Sequence, residues 1–160
     1  MTELSKRIQF TREISKHLAE LTQLAGRSVG IADLLSLAET EAIREKANAV
    51  ARIPSWRCRT NFSEKNSLRF RKLISDLHAL NPASVYVWTP LSNVCGLLRP
   101  VALVEINFAF DFFVNREGIF SVLTVDLLDR LLLDYEEISP NDRQIQIEVA
   151  GQHWGRAEIC

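Results

Sequence analysis

The spacing of apolar residues changes near residue 80, and this change limits the possible folds more than any other feature of the sequence. Before it, apolar side chains recur every three or four positions, as at Ile14, Leu18 and Leu21. After it, they alternate with polar side chains, as at Ile145 and Ile147. A period near 3.6 is typical of a helix that buries one face, and a period of two is typical of a strand. The sequence therefore predicts helices first and a sheet second.

Three helices are predicted in the first half. The first ends at the glycine-containing break Gly26–Gly30, the second spans residues 31–51, and the third spans residues 63–80. A loop that contains Trp56 is predicted at residues 54–67, and it leads into the third helix. The residues of the second helix expected to pack inward are Leu34, Leu37, Ala38, Ala42 and Ala49.

Four strands and one further helix are predicted in the second half. The strands span residues 85–88, 101–114, 119–125 and 144–149, and the helix spans residues 126–137. The second strand has the clearest pattern, because each of its even positions carries an apolar side chain. Helices followed by hairpin-linked strands are typical of an α+β fold. We therefore expect an N-terminal three-helix segment packed with a mostly antiparallel C-terminal sheet that carries one further helix.

The chain is predicted to form a single domain over residues 1–160, with a helical half at 1–80 and a sheet half at 81–160. Its 160 residues are enough to bury one sizeable core. No segment rich in glycine, serine or proline divides the two halves.

The cysteines and the apolar segments bear on the compartment. Cys58, Cys95 and Cys160 are odd in number and widely spaced, a pattern typical of a reducing compartment. The N-terminus resembles an amphipathic helix rather than a signal peptide, and no apolar stretch is long enough to span a bilayer. We therefore expect a cytoplasmic protein with no membrane partner.

Charge is divided unevenly between the halves. Residues 1–80 carry 14 Lys or Arg against 9 Asp or Glu, whereas residues 81–160 carry 5 against 11. The first half is therefore positive by five charges and the second is negative by six. Such asymmetry indicates the kind of partner rather than the fold.

The motifs of common enzymes and metal sites are missing from the sequence. Gly26 and Gly30 are not followed by the Gly-Lys-Ser/Thr of a phosphate-binding loop, and no Gly-x-Ser-x-Gly occurs. His17, His78 and His153 lie far apart in the sequence. We therefore expect no enzyme activity, cofactor or bound metal, and a small metal-independent enzyme is the weakest of three hypotheses.

A basic segment at residues 52–72 supports the second hypothesis, a nucleic-acid-associated regulator. The residues that would neutralise phosphates are Arg57, Arg59, Arg69, Arg71 and Lys72. Trp56, Phe62 and Phe70 lie among them and could stack on bases, although the same aromatic residues also suit a protein interior. The near-neutral net charge of −1 counts against a dedicated nucleic-acid binder.

An acidic segment at residues 126–142 supports the leading hypothesis, a protein-binding module. Asp134, Glu136 and Glu137 crowd the end of a predicted helix, where the helix dipole disfavours negative charge. A solvated acidic helix is the simpler interpretation, and a surface for a basic protein is the functional one. The residues expected to contact that partner are Asp129, Asp134, Glu136, Glu137, His153 and Trp154.

The segments Asp126–Glu137 and Gln144–Trp154 together resemble small immunity proteins of bacterial contact-dependent growth inhibition and polymorphic toxin systems. The likeness lies in an acidic helix followed by a strand with one apolar face, which ends in Gly-x-x-Trp. Proteins of that group are cytosolic and non-enzymatic, and each binds a cognate toxin domain that is often a nuclease with a basic cleft. The resemblance implies a one-to-one complex in which this chain occludes the active site of a toxin.

Overall fold

The structure, a computed structural model, describes residues 1–52, 54–110 and 118–157. The helices within these ranges are α1 (Glu3–Ala25), α2 (Leu37–Ala49), α3 (Leu68–Leu80) and the single turn α4 (Ser92–Cys95). The strands are β1 (Pro54–Asn61), β2 (Val85–Trp88), β3 (Ile119–Thr124), β4 (Asp129–Ser139) and β5 (Asp142–Gly151).

The five strands form one sheet in the order β1-β5-β4-β3-β2, and every neighbouring pair is antiparallel. Strands β4 and β5 are joined across Pro140 and Asn141, and Ser139 pairs with Asp142. Strand β4 is the central strand, and β5 lies between β4 and the edge strand β1. The predicted α+β class with an antiparallel sheet is confirmed.

The two faces of the sheet differ in polarity. On the core face, Cys58, Ile147, Leu133 and Phe120 stand in register across four strands. Apolar residues of α1 and α3 join this face in one hydrophobic cluster. The opposite face is called the polar face here, and its side chains include Arg57, Arg59, Arg130, Asp134, Glu136, Gln146 and Glu148.

Helix α1 confirms the first predicted helix. The side chain of Thr2 accepts a hydrogen bond from the N–H of Ser5 at its start. Gly26 ends it with a φ of 64°, a left-handed conformation that glycine adopts without strain.

Helix α2 is shorter than predicted. Ser36 and Glu39 form a capping box, so the helix begins after Ser36. Of the residues expected to pack inward, Leu34 is buried, but it precedes the helix. The helix instead buries Thr40 and Ala47, because Thr40 accepts a hydrogen bond from the backbone beyond α4. The other residues expected inside are exposed: Leu37, Ala38, Ala42 and Ala49.

The predicted loop at residues 54–67 is wrong at its start, where β1 lies. Trp56 and Cys58 pack against the core opposite Val149 and Ile147 of β5. The intervening side chains point to the polar face. The first half therefore contributes a strand and is not wholly helical.

The predicted helix at residues 126–137 is also wrong, because residues 129–139 form β4. Asp129, Leu131 and Leu133 are fully buried, and the residues between them lie on the polar face. Leucine favours helices intrinsically, but pairing with a strand on each side overrides that preference.

The predicted strand at residues 101–114 is wrong in its described part, which contains a single helical turn. The N–H of Asn107 donates to the carbonyl of Leu24 at 2.7 Å, and its Nδ2 donates to the carbonyl of Gln23 at 3.1 Å. The segment is thus held against the C-terminal carbonyls of α1, and it meets β2 in a single bridge between Val101 and Val85. Residues 111–114 lie outside the described residues.

The cysteines do not support the expected compartment. Cys95 carries a buried free thiol, and burial raises its pKa to about 11. Cys58 is disulfide-bonded, a state that a reducing compartment does not favour. None of the helices in the described ranges combines the length and the hydrophobicity needed to cross a membrane. The cytoplasmic location stays a prediction.

Candidate functional site

Strands β4 and β5 form a hairpin that reaches beyond their neighbours in the sheet. Strand β3 pairs with β4 only as far as Asp134, and β1 pairs with β5 only as far as Gln144. Residues 135–143 are called the hairpin tip here, and no other described strand pairs with them. Within the described part of the chain, residues 137–141 are exposed and accessible to another molecule.

Four carboxylates lie at the hairpin tip or directly before it. Asp134 and Glu136 point to the polar face, Glu137 points to the other side, and Asp142 follows the turn. Ile138 lies among them and is 56% exposed. The tip therefore places carboxylates on both sides of an exposed apolar side chain, and Arg143 stands opposite Glu137 in register.

The carboxylates of the tip are close enough to influence one another. Partial burial, and then the charge of Glu136, raise the pKa of Asp134. Nη2 of Arg59 lies 2.8 Å from Oε2 of Glu136, and the hydroxyl of Tyr135 donates to Glu137 at 3.3 Å. A cation supplied by a partner would lower the repulsion that remains.

Asp129 lies at the opposite end of β4 and is buried. Its carboxylate accepts hydrogen bonds from the backbone N–H groups of His153 at 2.8 Å and Trp154 at 2.9 Å. Nδ2 of Asn81 donates at 2.7 Å, and Nδ1 of His153 lies 2.8 Å away. Asp129 thus fastens the turn after β5 to β4 and to the end of α3.

The burial of this cluster corrects part of the sequence prediction. Burial raises the pKa of Asp129, but hydrogen bonds from Asn81, Trp154 and His153 more than offset it, so the pKa lies below its usual value. Asp129 and Trp154 are both fully buried, so neither side chain is placed to contact a partner as predicted. The side chain of His153 is 35% exposed and stays a candidate.

Two of the predicted basic residues pair with acidic residues of the second half. Nε of Arg57 donates to Glu148 at 2.6 Å, and Arg59 pairs with Glu136. Glu148 also accepts from Nη2 of Arg130 at 2.7 Å and is itself buried. The basic and acidic segments therefore meet across β1, β5 and β4.

The other predicted basic residues lie elsewhere, on α3. Arg69 pairs with Glu64, Lys72 pairs with Asp76, and Arg71 donates to the carbonyl of Asn66. Helix α3 packs on the core face, whereas the arginines of β1 point to the polar face. The structure therefore does not bring the five residues into one surface.

Glu20 is a buried carboxylate that sequence patterns do not single out. Its side chain is fully buried, and neither carboxylate oxygen has a hydrogen-bond partner among the described residues. Burial raises its pKa, with a smaller opposing effect from Lys16, whose Nζ lies 3.9 Å away. No signal in the sequence distinguishes Glu20 from Glu3 and Glu13, the other glutamates of α1.

No metal site is evident in the described ranges, where no three His, Cys, Asp or Glu side chains are grouped to hold an ion. Comparison with protein-family models, curated proteins and solved structures finds no match to the chain. The candidate functional site is therefore the hairpin tip, which is distinguished by its exposure and its carboxylates.

Proposed function

We propose that this chain is a protein-binding module that neutralises a basic, nuclease-like toxin domain. The hairpin tip would enter the cleft of the toxin and occlude its active site, and no catalysis by this chain is involved. The observation that carries the proposal is the hairpin tip itself, which places acidic side chains beyond the rest of the sheet.

The chemistry of the tip suits a basic partner. Glu137 and Asp142 supply negative charge, which speeds encounter with a positive surface. Ile138 supplies an apolar contact at the centre, and such a residue gains binding energy once charged neighbours exclude water around it. A nuclease cleft that binds phosphates would offer the arginine and lysine side chains that match this pattern.

The decisive experiment is capture of the partner from the native host with three forms of the protein. The wild type is compared with a tip variant, Glu136→Gln, Glu137→Gln and Asp142→Asn. A control variant removes the same charge from exposed helical positions: Glu3→Gln, Glu41→Gln and Glu45→Gln. The captured protein is then tested for nuclease activity with and without an equal amount of this chain.

We expect the wild type and the control variant to capture one basic protein and to inhibit it at a one-to-one ratio. The tip variant should bind it about tenfold more weakly at low salt. Capture of RNA or DNA without a protein would contradict the proposal, and so would equal binding by the tip variant.

The nucleic-acid alternative has less support. Arg57 and Arg59 already pair with carboxylates on the polar face, and Arg69 and Lys72 also have acidic partners. A regulator of this kind would bind RNA or DNA with an affinity that falls steeply with salt. Binding that is abolished by the double change Arg69→Glu and Arg71→Glu would favour the alternative.

A further inference from the structure

A cavity of about 270 Å³ lies between the C-terminal end of α2 and the polar face of the sheet. Three of its lining residues are arginines, Arg44, Arg52 and Arg130, and none of its lining residues is acidic. Guanidinium groups on the wall of a concave site are the usual means by which proteins hold phosphate or carboxylate groups.

Arg52 is fixed at this cavity without a counter-charge. Its Nη atoms donate to the carbonyl of Ala47 at 2.9 and 3.0 Å and to the carbonyl of Val50 at 3.1 Å. These acceptors are neutral, and no ion pair of Arg52 occurs among the described residues. Burial and the nearby charge of Arg130 lower the pKa of Arg52. The site therefore holds a preorganised positive charge that an anion would stabilise.

The surrounding ion pairs leave an excess of positive charge. Glu148 bonds both Arg57 and Arg130, and Glu41 pairs with Arg44. With Arg52 included, four guanidinium groups stand against two carboxylates, which leaves two positive charges. A phosphate monoester carries about −1.5 to −2 at neutral pH and would balance them, whereas a single carboxylate would not.

The remaining walls of the cavity suit the organic part of such a ligand. Trp88 and Leu123 form an apolar side, and Asn48 and Asn93 add neutral polar groups. A water molecule takes about 30 Å³ of liquid volume, so the cavity has room for much more than an inorganic ion. An aromatic side chain beside a cluster of arginines is suited to a flat ring that carries a phosphate.

We propose that this cavity binds an organic phosphate monoester whose attached ring is flat. The phosphate lies between Arg52 and Arg130, and the ring packs against Trp88. No bond is made or broken in this binding step. The site is separate from the hairpin tip, so the two proposals stand or fall independently.

Calorimetric titration of the purified chain tests the ligand class with matched probes. The monoesters are AMP and phenyl phosphate, and their controls are adenosine, phenol and inorganic phosphate. We expect the monoesters to bind at least about tenfold more tightly than any control, since each control lacks the charge or the ring. Equal affinity for inorganic phosphate would overturn the ring contact, and equal affinity for adenosine or phenol would overturn the phosphate contact.

Three variants test the location of the site. Arg130→Gln and Arg44→Gln should each weaken binding of the monoesters by about tenfold, because each removes a charge from the cavity wall. Among the described residues, Arg44 forms its ion pair with the exposed Glu41, so that variant is expected to keep its fold. Arg99→Gln removes the same charge from an exposed position outside the cavity and should leave affinity unchanged. Undiminished binding by both cavity variants, or no binding of either monoester at about 1 mM, would overturn the proposal.

Discussion

Asp129 and Glu20 are both fully buried, yet their surroundings shift their pKa values in opposite directions. Asp129 receives hydrogen bonds from backbone and side-chain donors, and these favour its ionised form. Glu20 receives none from the described residues, so burial favours its protonated form. The stability of the protein therefore depends on pH in opposite senses at these two positions.

Replacement of Asp129 by asparagine should lower the free energy of unfolding by about 2–3 kcal/mol at pH 7, because hydrogen bonds to a charged acceptor are lost. Ionised Asp129 stabilises the fold above its unfolded pKa of 3.8, and this stabilisation is lost as pH falls through the lower folded pKa. Urea unfolding should therefore show the two proteins converging on acidification. The change Asp142→Asn, at a carboxylate that is only partly buried, is the control, and an equal loss there would contradict the role assigned to Asp129.

Replacement of Glu20 by glutamine should raise the free energy of unfolding at pH 7. The raised pKa of Glu20 means that the folded state binds its proton more tightly than the unfolded state does. Protonated Glu20 therefore stabilises the fold fully below pH 4.5, and this stabilisation is lost as pH rises through the folded pKa. The advantage of Glu20→Gln should therefore vanish near pH 4 in urea titrations. A variant that is less stable than the wild type at pH 7 would show instead that ionised Glu20 is held by Lys16.

Strand β4 occupies a segment whose leucines are compatible with a helix or a strand. A strand and a helix would bury different leucines of this segment. In the strand, Leu131 is fully buried in the core, whereas Leu132 lies on the polar face. In the predicted helix, both would have faced the core. The choice between the two therefore has a direct consequence for stability.

The change Leu131→Ala should cost about 2–5 kcal/mol of unfolding free energy, because it leaves a cavity in the core. Leu132→Ala serves as the matched control and should cost clearly less. Both costs can be measured by urea unfolding followed by circular dichroism. Equal costs for the two substitutions would contradict the strand.

Local patterns were enough to predict α1 and β5, because their apolar spacing and their end signals agree. They were not enough for β1, where the alternation of Trp56 and Cys58 with arginines was interpreted as a loop. The acidic residues of the hairpin tip could be chosen from charge alone. The burial of Asp129 could not, since it depends on a turn 24 residues further along the chain. Contacts between distant segments of the chain decided both outcomes: β1 pairs with β5, and Asp129 binds the turn after β5.

At the scale of the whole molecule, the uneven charge of the two halves is partly balanced inside the sheet. Strand β1 belongs to the positive half, and it lies directly beside β5 of the negative half. Arg57 and Arg59 use this proximity to reach Glu148 and Glu136. Within the described ranges, Glu137 and Asp142 of the hairpin tip form no ion pair with either of these arginines.

A double-mutant cycle on Arg59 and Glu136 should give a coupling energy of about 0.2–1 kcal/mol, the range of partly exposed ion pairs. The variants Arg59→Gln and Glu136→Gln are made singly and together, and unfolding is measured at low salt. The control cycle pairs Arg59 with Glu137, which points to the other side of β4, and should give no coupling. Equal coupling in both cycles would show that Arg59 and Glu136 interact through long-range electrostatics and not through a direct ion pair.

The ion pair between Arg57 and Glu148 joins residues 91 positions apart, and it reflects the pairing of β1 with β5 along their length. A ribosome would therefore release β1 long before its only described partner strand exists. Until β5 emerges, β1 has no described strand to pair with, and Trp56 lacks its neighbour Val149. Contacts between such distant segments slow folding, so the emergence of β5 would govern when the sheet becomes stable.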